Sequence, residues 1–331
     1  MKQYIALTVK KSDPCDPYFP SAVKQSVNRE LVSMSSTLKL PLHDEPFSSI
    51  CVNVSLRLYE IEQLYASGEI NPFVQIRTGD HDPSLKGTPH KVRIGFYPVA
   101  ADPFHWGHLL AGLNAIVHLK LDKVIYLIAG NDARKPGMTP AAIRHPMSQD
   151  VLRCFKPLFE YSPIAYDRDC DGEQGLFYFL KLNPRQPMDI WYLAGSDHYR
   201  RHYPGTHYPD TVQKLEDHIE KRLCGYNGAV HSIAVGFVRR GHTENRFVDT
   251  FLPVQFLPEI PIQVSSSMIR EALQKNYNPK VLALVPYAAY IDIMIFDLYG
   301  AVDAGRRRST GIVTRIPFGD ISLNPSFACT W

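Results

Sequence analysis

From residue 91 onward, short apolar runs alternate with segments of helical periodicity, and this alternation constrains the fold more than any other feature of the sequence. Short apolar runs predict buried strands, and apolar residues spaced three and four apart predict helices that bury one face. The predicted strands are residues 92–97, 123–129, 189–195, 230–238 and 261–264. The predicted helices are residues 106–119, a segment opened by Thr139-Pro140, and a serine-opened segment that ends at residue 274. Strands that alternate with helices predict an α/β fold with a doubly wound parallel sheet and right-handed crossovers.

The composition excludes several classes of protein. Of the 331 residues, 45% are hydrophobic and 21% are charged, which is typical of a soluble globular protein with a sizeable core. The net charge of +3 is too small to favour nucleic acid as a partner, although it suits a site that binds anions. We therefore expect a globular protein with an anionic ligand.

Cysteine spacing and hydropathy indicate the compartment. The six cysteines are scattered without a C-x-x-C pair, which favours reduced thiols over a disulfide framework or a zinc site. The first residues, MKQYIALTVKKSD, contain no sustained apolar stretch, and no run of about 18 apolar residues occurs elsewhere. These observations predict neither a signal peptide nor a membrane span, and we expect a cytoplasmic protein.

The first 90 residues differ from the rest of the chain. Prolines and serine-rich stretches interrupt them, and one segment, Val54–Ala66, shows helical periodicity. We predict three parts, which are an N-terminal extension of unknown role (1–90), an α/β domain (91–300) and a C-terminal tail (301–331).

The first chemistry-bearing motif is His105-Trp106-Gly107-His108, at the junction of a predicted strand and helix. Residues three apart at a helix start share one side, so both imidazoles face the same space. Gly107 leaves room for a ligand near the backbone, and a helix N-terminus offers unpaired N–H groups to a phosphate. The alternatives are a surface pair of histidines and half of a metal site. No nearby Cys, Glu or third His completes a metal-ligand set.

The second motif is residues 264–270, which read VSSSMIR and open a predicted helix. Its three serine hydroxyls either cap the helix or bind phosphate oxygens. Arg270 lies one turn into the helix, from where a guanidinium reaches a polyphosphate with two parallel hydrogen bonds. The alternative is an ordinary helix cap with a solvated arginine.

Together the two motifs resemble those of the H-x-G-H nucleotidyltransferase superfamily, whose second motif reads I-S-S-T-x-I-R. The closer resemblance is to the nicotinate/nicotinamide mononucleotide adenylyltransferases, whose first strand and turn follow I-G-x-F-G-G-T-F-D-P-x-H-x-G-H. Residues 94–108 read IGFYPVAADPFHWGH and match that pattern without a gap at Asp102, Pro103, His105, Gly107 and His108. Weaker matches follow in order at residues 129–135, 144–147, 195–197, 238–241 and 285–291. The resemblance covers roughly residues 91 to 292.

The resemblance implies a Rossmann-like nucleotidyltransferase fold and a reaction. The implied reaction transfers AMP from ATP to nicotinate or nicotinamide mononucleotide and releases pyrophosphate, as in NAD biosynthesis. Mg²⁺ is the implied cofactor, held mainly through the phosphates of ATP. The implied partners are ATP and a mononucleotide acceptor, with no nucleic acid and no membrane, and the resemblance leaves a homo-oligomer open.

The resemblance also implies a role for each matching residue. The implied catalytic residues are His105, His108 and Arg270. The implied ATP- and phosphate-binding residues are Gly107, Lys135, Ser265, Ser266 and Ser267. The implied nucleotide- and ribose-binding residues are Asp102, Gly195, Asp197 and Arg239. No residue is assigned to a metal.

Several residues keep a second interpretation. Asp102 either orients the turn before the helix or is an Asx-type cap beside Pro103. Trp106 either stacks on a base or packs on the sheet. Arg239 is either a nucleotide contact or a buried arginine at a strand end, and we expect Arg144 to be structural rather than catalytic.

The sequence departs from the family pattern in two places. Residues 98–101, Pro-Val-Ala-Ala, replace G-G-T-F. Because proline has no N–H and valine resists positive φ, we expect a lost or rearranged phosphate contact there. Residues 171–180 lack the Y-T-x-x-T-L stretch that lies near the pyridine ring in bacterial members, so the acceptor stays open. The alternatives are another phosphate acceptor of the same superfamily and a non-catalytic nucleotide sensor.

Overall fold

The structure, a computed structural model, contains one parallel sheet. It describes residues 19–41, 44–80, 90–131, 137–168, 170–195, 213, 215–217, 221, 230–238, 252–260, 262–275 and 279–301. The strands are β1 (Val92–Val99), β2 (Lys123–Ile128), β3 (Phe159–Ser162), β4 (Met188–Gly195), β5 (Val230–Val238) and β6 (Val254–Leu257). Their order is β3-β2-β1-β4-β5-β6, and each neighbouring pair is parallel. The predicted doubly wound α/β fold is confirmed.

Helices of very different lengths accompany the sheet. They are α1 (Phe19–Leu38), α2 (Phe47–Ala66), α3 (Trp106–Leu119), α4 (Ala141–Arg153), α5 (Ile164–Asp167), α6 (Gly172–Leu182), α7 (Ser266–Lys275), α8 (Pro279–Leu282) and α9 (Tyr287–Ile295). A 3₁₀ turn, Leu298–Gly300, follows α9. Across the described ranges, no helix combines the length and the apolar character that a membrane span requires.

Two apolar clusters fill the spaces on the two faces of the sheet. The side chains of β1 alternate between them: Ile94 and Phe96 pack with α6, whereas Tyr97 and Val99 pack with α3. A central parallel strand that is covered on both faces reads as a continuous apolar run, which is the pattern that the sequence shows. The helix predicted over residues 106–119 is present with those bounds as α3.

Two helices, α1 and α2, occupy the segment for which the sequence predicted a single helix. The prolines that obscured them lie at helix starts, since Pro20 is the second residue of α1 and Pro46 directly precedes α2. Proline is tolerated there because the first N–H groups of a helix have no acceptor within it. Both helices bury one face in the cluster that also contains α3 and α9. They add a helical layer to that side of the sheet.

The predicted strand at residues 261–264 is wrong. The last strand is β6, which lies seven residues earlier and pairs with β5 from Val235 opposite Val254. The apolar side chains of Ile262 and Val264 are buried without any strand pairing. Pro261 removes one N–H from that segment, and proline is disfavoured inside a sheet for this reason. Ile262 and Val264 are apolar because they pack in the core, and this gave the segment the appearance of a strand.

Candidate active site

The candidate site lies at the carboxyl ends of β1 and β4, where the strand order reverses. From β1 the chain passes through residues 100–105 into α3 and then to β2, on one side of β1. On the other side of β1 lies β4, followed by β5. Such a switch point leaves a crevice outside the strand ends, and open α/β sheets bind their ligands there.

His105 and His108 meet at the start of α3. His105 is the N-cap residue, with an extended backbone (φ −143°, ψ 165°). The two imidazole rings stack with their centroids 3.7 Å apart and 21° between their planes. His105 is 1% exposed and His108 is 6% exposed. The two predicted imidazoles therefore share one space at the start of α3, where the N–H of Trp106 donates to the carbonyl oxygen of Leu284 at 2.9 Å.

Hydrogen bonding and ring packing set the orientation of His108. Its Nδ1 accepts a hydrogen bond from the backbone N–H of His105 at 3.3 Å. A neutral imidazole that accepts through Nδ1 carries its proton on Nε2. The ring also packs against Phe104 and Tyr97, with centroid distances of 5.1 and 6.5 Å. His108 is thus held as a donor through Nε2.

The two residues between the histidines pack inside the protein. Trp106 is 0% exposed and its ring lies edge-on to Phe155, so it packs in the core. A Cβ at Gly107 would lie 2.6 Å from Cγ1 of Val264 and 2.9 Å from Nδ1 of His105. Val264, the first residue of the second motif, therefore fills the side of Gly107 on which a Cβ would stand.

The second motif forms the start of α7. Ser265 precedes the helix, and its Oγ accepts the N–H of Met268 at 3.2 Å. This is the geometry of a serine N-cap. Ser267 accepts a hydrogen bond from Nη2 of Arg270 at 3.2 Å, which fixes one side of the guanidinium.

Two hydrogen bonds join the second motif to the turn that precedes the first. Oγ of Ser266 donates to the carbonyl oxygen of Pro103 at 3.0 Å. Nη1 of Arg270 donates to the carbonyl oxygen of Asp102, across 168 residues of sequence. The start of α7 therefore lies against the segment between β1 and α3, and the Arg270 side chain stays 29% exposed.

Asp102 is a buried hydrogen-bonding centre. Its side chain is 3% exposed, and Oδ1 accepts a hydrogen bond from the hydroxyl of Tyr299 at 2.7 Å. Oδ2 accepts the N–H of Thr139 at 3.3 Å and lies 3.4 Å from Nη1 of Arg270. Sequence reasoning did not single out Tyr299 or the backbone of Thr139, because no local pattern connects them to Asp102.

Arg144 binds the backbone of the turn after β1 and of the loop after β2. It is 0% exposed, and its guanidinium donates to four backbone carbonyls. The acceptors, all between 2.6 and 2.9 Å away, are those of Ala100, Ala129, Gly130 and Thr139. Burial lowers the pKa of Arg144, and the charge of Asp102 opposes that change. The side chain joins the ends of β1 and β2 to the start of α4, which is the structural role that we expected.

The turn that departs from the family pattern is partly strand. Pro98 and Val99 are the last residues of β1, so neither adopts positive φ. Positive φ falls on Ala101 instead, at 52°. A small side chain limits the steric cost of that conformation. The positive φ that a glycine adopts readily therefore falls on an alanine in this chain.

His145 lies next to the turn and was not recognised from the sequence. Its Nε2 is 3.1 Å from the carbonyl oxygen of Ala129, and its Nδ1 is 2.6 Å from the hydroxyl of Tyr161. A carbonyl oxygen only accepts, so Nε2 carries the proton and Nδ1 accepts from Tyr161. Burial lowers the pKa of His145 to about 4, which keeps the ring neutral at pH 7.

The remaining predicted residues are only partly placed. Gly195 is the last residue of β4, at the carboxyl edge of the sheet as expected. Lys135, Asp197 and Arg239 lie outside the described residues. Within the part of the chain that is described, no three His, Cys, Asp or Glu side chains are grouped to hold a metal ion.

Comparison with known proteins decides the family. The family model described as cytidylyltransferase-like matches residues 96–272, which is more than half of the chain. The chain belongs to the cytidylyltransferase-like family. Within this family it is similar to the probable nicotinate-nucleotide adenylyltransferase of Thermus thermophilus, with 32% identity over 210 residues. That alignment covers 63% of this chain and 100% of the relative.

Two further proteins are similar to this chain. The probable nicotinate-nucleotide adenylyltransferase of Methylibium petroleiphilum is 26% identical over 223 residues, covering 63% of this chain and 93% of the relative. The solved structure of Plasmodium falciparum nicotinic acid mononucleotide adenylyltransferase complexed with NaAD aligns at 16% identity and a TM-score of 0.43. The match covers 64% of this chain and 98% of that chain.

Proposed function

We propose that this chain transfers AMP from ATP to nicotinate or nicotinamide mononucleotide and releases pyrophosphate, a step of NAD biosynthesis. The observation that carries the proposal is the contact between the two motifs, in which Arg270 donates to the carbonyl of Asp102, three residues before His105. This contact brings a guanidinium and two stacked imidazoles to one crevice. Phosphate oxygens are bound by such groups of N–H donors and cations. The relatives that this chain covers along their whole length are named for the same activity.

The proposed reaction is an in-line displacement at the α-phosphorus of ATP. A phosphate oxygen of the mononucleotide forms the new bond to phosphorus. The bond from the α-phosphorus to the oxygen shared with the β-phosphate breaks, and pyrophosphate leaves with that electron pair. No covalent bond to the protein forms, so catalysis depends on positioning and on neutralising charge.

The two imidazoles are proposed to act on the α-phosphate. His108 donates from Nε2 to an oxygen that gains charge in the transition state, and His105 lies beside it at the helix N-terminus. A donor that is already oriented loses little free energy to reorganisation when the charge develops. The neighbouring Gly107 contributes a first-turn N–H to the same phosphate region.

The start of α7 is proposed to bind the leaving pyrophosphate. Arg270 provides the cation, and the residues Ser265, Ser266 and Ser267 provide hydroxyl or backbone groups at the helix start. Lys135 is proposed as a second cation, by its match to the family pattern. The Arg270 side chain is 29% exposed, and we propose that its remaining donors bind the leaving phosphates.

The nucleoside part is assigned to the end of β4 and its surroundings. We propose that Gly195 allows close approach of the ribose, that Asp197 accepts from a ribose hydroxyl, and that Arg239 contacts the nucleotide. For Asp102 we propose a positioning role, because both of its carboxylate oxygens already have protein partners.

Mg²⁺ is proposed to accompany ATP. We propose that this ion keeps most of its waters and binds through the phosphates of ATP. The ion supplies neutralisation of the phosphate charge. We propose residues 91–300 as the catalytic domain, with the N-terminal helices as an extension, and the cytoplasm as the compartment.

The test is direct assay of both acceptors. The protein is incubated with ATP, Mg²⁺ and either nicotinate or nicotinamide mononucleotide, and dinucleotide and pyrophosphate are measured together. We expect dinucleotide and pyrophosphate in equal amounts, and we expect both to be lost in His108→Ala. The acceptor that reacts faster identifies the preferred pyridine. ATP binding without release of pyrophosphate from either acceptor would contradict the proposal and favour a nucleotide sensor.

A further inference from the structure

We propose, on the basis of the function proposed above, that Tyr299 is a positioning residue that keeps Arg270 available to the phosphates of ATP. It does so by holding the carboxylate of Asp102. Tyr299 belongs to the 3₁₀ turn after α9, 197 residues from Asp102 in sequence. Neither the motifs nor their spacing assigns it a role.

The geometry around Asp102 shows how this works. Oδ1 accepts the hydroxyl hydrogen of Tyr299 at 2.7 Å, and Oδ2 accepts the N–H of Thr139 at 3.3 Å. Oδ2 lies 3.4 Å from Nη1 of Arg270, which is long for a charge-assisted hydrogen bond. The carboxylate is thus occupied by two neutral donors and does not form a bidentate pair with the guanidinium.

Arg270 is nevertheless anchored. Nη1 donates to the carbonyl oxygen of Asp102, and Nη2 donates to Oγ of Ser267. The two groups that orient the guanidinium, a backbone carbonyl and a hydroxyl, carry no charge, and Oδ2 of Asp102 stays 3.4 Å from Nη1. An arginine bound to a carboxylate through both nitrogens would instead have its charge compensated before any phosphate arrived.

Removing the Tyr299 hydroxyl would release Oδ1. The carboxylate could then rotate toward Arg270 and close the bidentate pair, so phosphate would have to compete with an internal anion. Burial and the charge of Asp102 both raise the pKa of Tyr299, so the hydroxyl stays a donor throughout the neutral range. Thr139 adds a second contact, since its Oγ1 donates to the Tyr299 oxygen at 3.3 Å.

The backbone of Tyr299 is consistent with a residue that is held for its side chain. Its φ is 62° and its ψ is 18°, a left-handed conformation that bulky residues rarely adopt. Such a conformation persists where surrounding contacts determine it. The hydroxyl of Tyr299 is held by its hydrogen bonds to Asp102 and Thr139.

The experiment compares nucleotide binding by wild type and Tyr299→Phe, using calorimetry with ATP and with AMP in the presence of Mg²⁺. We expect ATP to bind about 3- to 10-fold more weakly to Tyr299→Phe, which is the effect on affinity expected when one hydrogen bond is lost. AMP binding should not change, because Arg270 is assigned to the β- and γ-phosphates. The matched control is Tyr287→Phe, which removes a half-buried phenol hydroxyl from α9. Equal ATP affinity in Tyr299→Phe and wild type would overturn the proposal, and so would equal weakening of ATP and AMP.

The carboxylate is tested with Asp102→Asn, alone and combined with Tyr299→Phe. An amide cannot form the ion pair with Arg270, so Asp102→Asn should bind ATP at least as tightly as wild type. Adding Tyr299→Phe to Asp102→Asn should then not change ATP affinity further, as expected when two residues act through the same interaction. A loss of ATP affinity in Asp102→Asn alone as large as that in Tyr299→Phe would contradict the mechanism. Because binding is measured without turnover, an absence of dinucleotide product would count against the proposed function and not against this one.

Discussion

The imidazole of His105 stacks on the imidazole of His108, with 3.7 Å between the ring centroids. The backbone N–H of His105 donates to Nδ1 of His108, so the first histidine orients the second in two ways. A preorganised donor at a helix N-terminus is suited to a phosphoryl group that gains charge during reaction.

The first prediction concerns this pair. His108→Ala should lower kcat by about 100- to 1000-fold, with a smaller change in KM for ATP, because the donor acts mainly in the transition state. Steady-state kinetics of dinucleotide formation measure both constants. His118→Ala is the matched control, since His118 is an exposed residue near the other end of α3. A change confined to KM would contradict the assigned role.

The second prediction concerns the contact between Gly107 and Val264. Gly107→Ala places a methyl group 2.6 Å from Cγ1 of Val264, closer than real Cβ contacts occur, so Val264 or the backbone beside it must shift. We expect a loss of stability of about 1–3 kcal/mol and a loss of activity. Denaturant unfolding and turnover are the measurements.

A double variant tests whether Gly107 is needed for packing against Val264 or for space that the substrate occupies. Val264→Ala removes the clashing Cγ1, so the double variant should recover a large part of the stability that Gly107→Ala loses. If the double variant folds normally and remains inactive, the space at Gly107 is needed by substrate rather than by Val264.

The third prediction concerns Arg144. Arg144→Lys retains the charge but cannot serve four carbonyls at once, because an ammonium lacks the planar fork of a guanidinium. We expect the free energy of unfolding to fall by about 2–4 kcal/mol, since buried carbonyls lose their donors. Arg153→Lys, at the exposed end of the same helix, should be close to neutral. Thermal and denaturant unfolding measure the stability of both variants. Similar stabilities for Arg144→Lys and Arg153→Lys would refute the structural role.

The fourth prediction concerns Glu30, which joins α1 to α9. Its Oε2 accepts the N–H of Ala288 at 2.9 Å, in the first turn of α9. Burial raises the pKa of Glu30 above its usual value of 4.5. In the window between 4.5 and the raised pKa, the folded protein binds more protons at this carboxyl than the unfolded chain. Stability therefore falls as pH rises through that window.

Two variants at Glu30 test both parts of this argument. Glu30→Gln keeps an oxygen acceptor without the charge, so it should unfold at a higher denaturant concentration than wild type at pH 7. That advantage should disappear as the pH falls below 4.5. Glu30→Ala removes the acceptor and should cost about 1 kcal/mol. Unfolding midpoints at the two pH values are the measurement, and a Gln variant that is less stable at pH 7 would contradict the prediction.

Local sequence patterns were sufficient to predict the central strands of the sheet. β1, β2, β4 and β5 appear in the sequence as continuous apolar runs, because each is covered on both faces. The bounds of α3 also follow from its apolar spacing. Elements that lack this double burial were missed or misplaced: β3 has only four residues, with Glu160 partly exposed, and the start of α6 includes a glycine.

The sequence by itself determined the fold class and supplied the candidate site residues, since both depend on patterns within a few consecutive turns or strands. Tertiary structure alone decided which of those residues meet. The contact of Asp102 with Tyr299 spans 197 residues, and that of Arg270 with Asp102 spans 168. Contacts of this kind follow from how the sheet and helices close on one another, and no local periodicity encodes them. The burial of Val264 against Gly107 has the same origin, because the space that a glycine leaves is filled by whichever distant side chain the fold brings there.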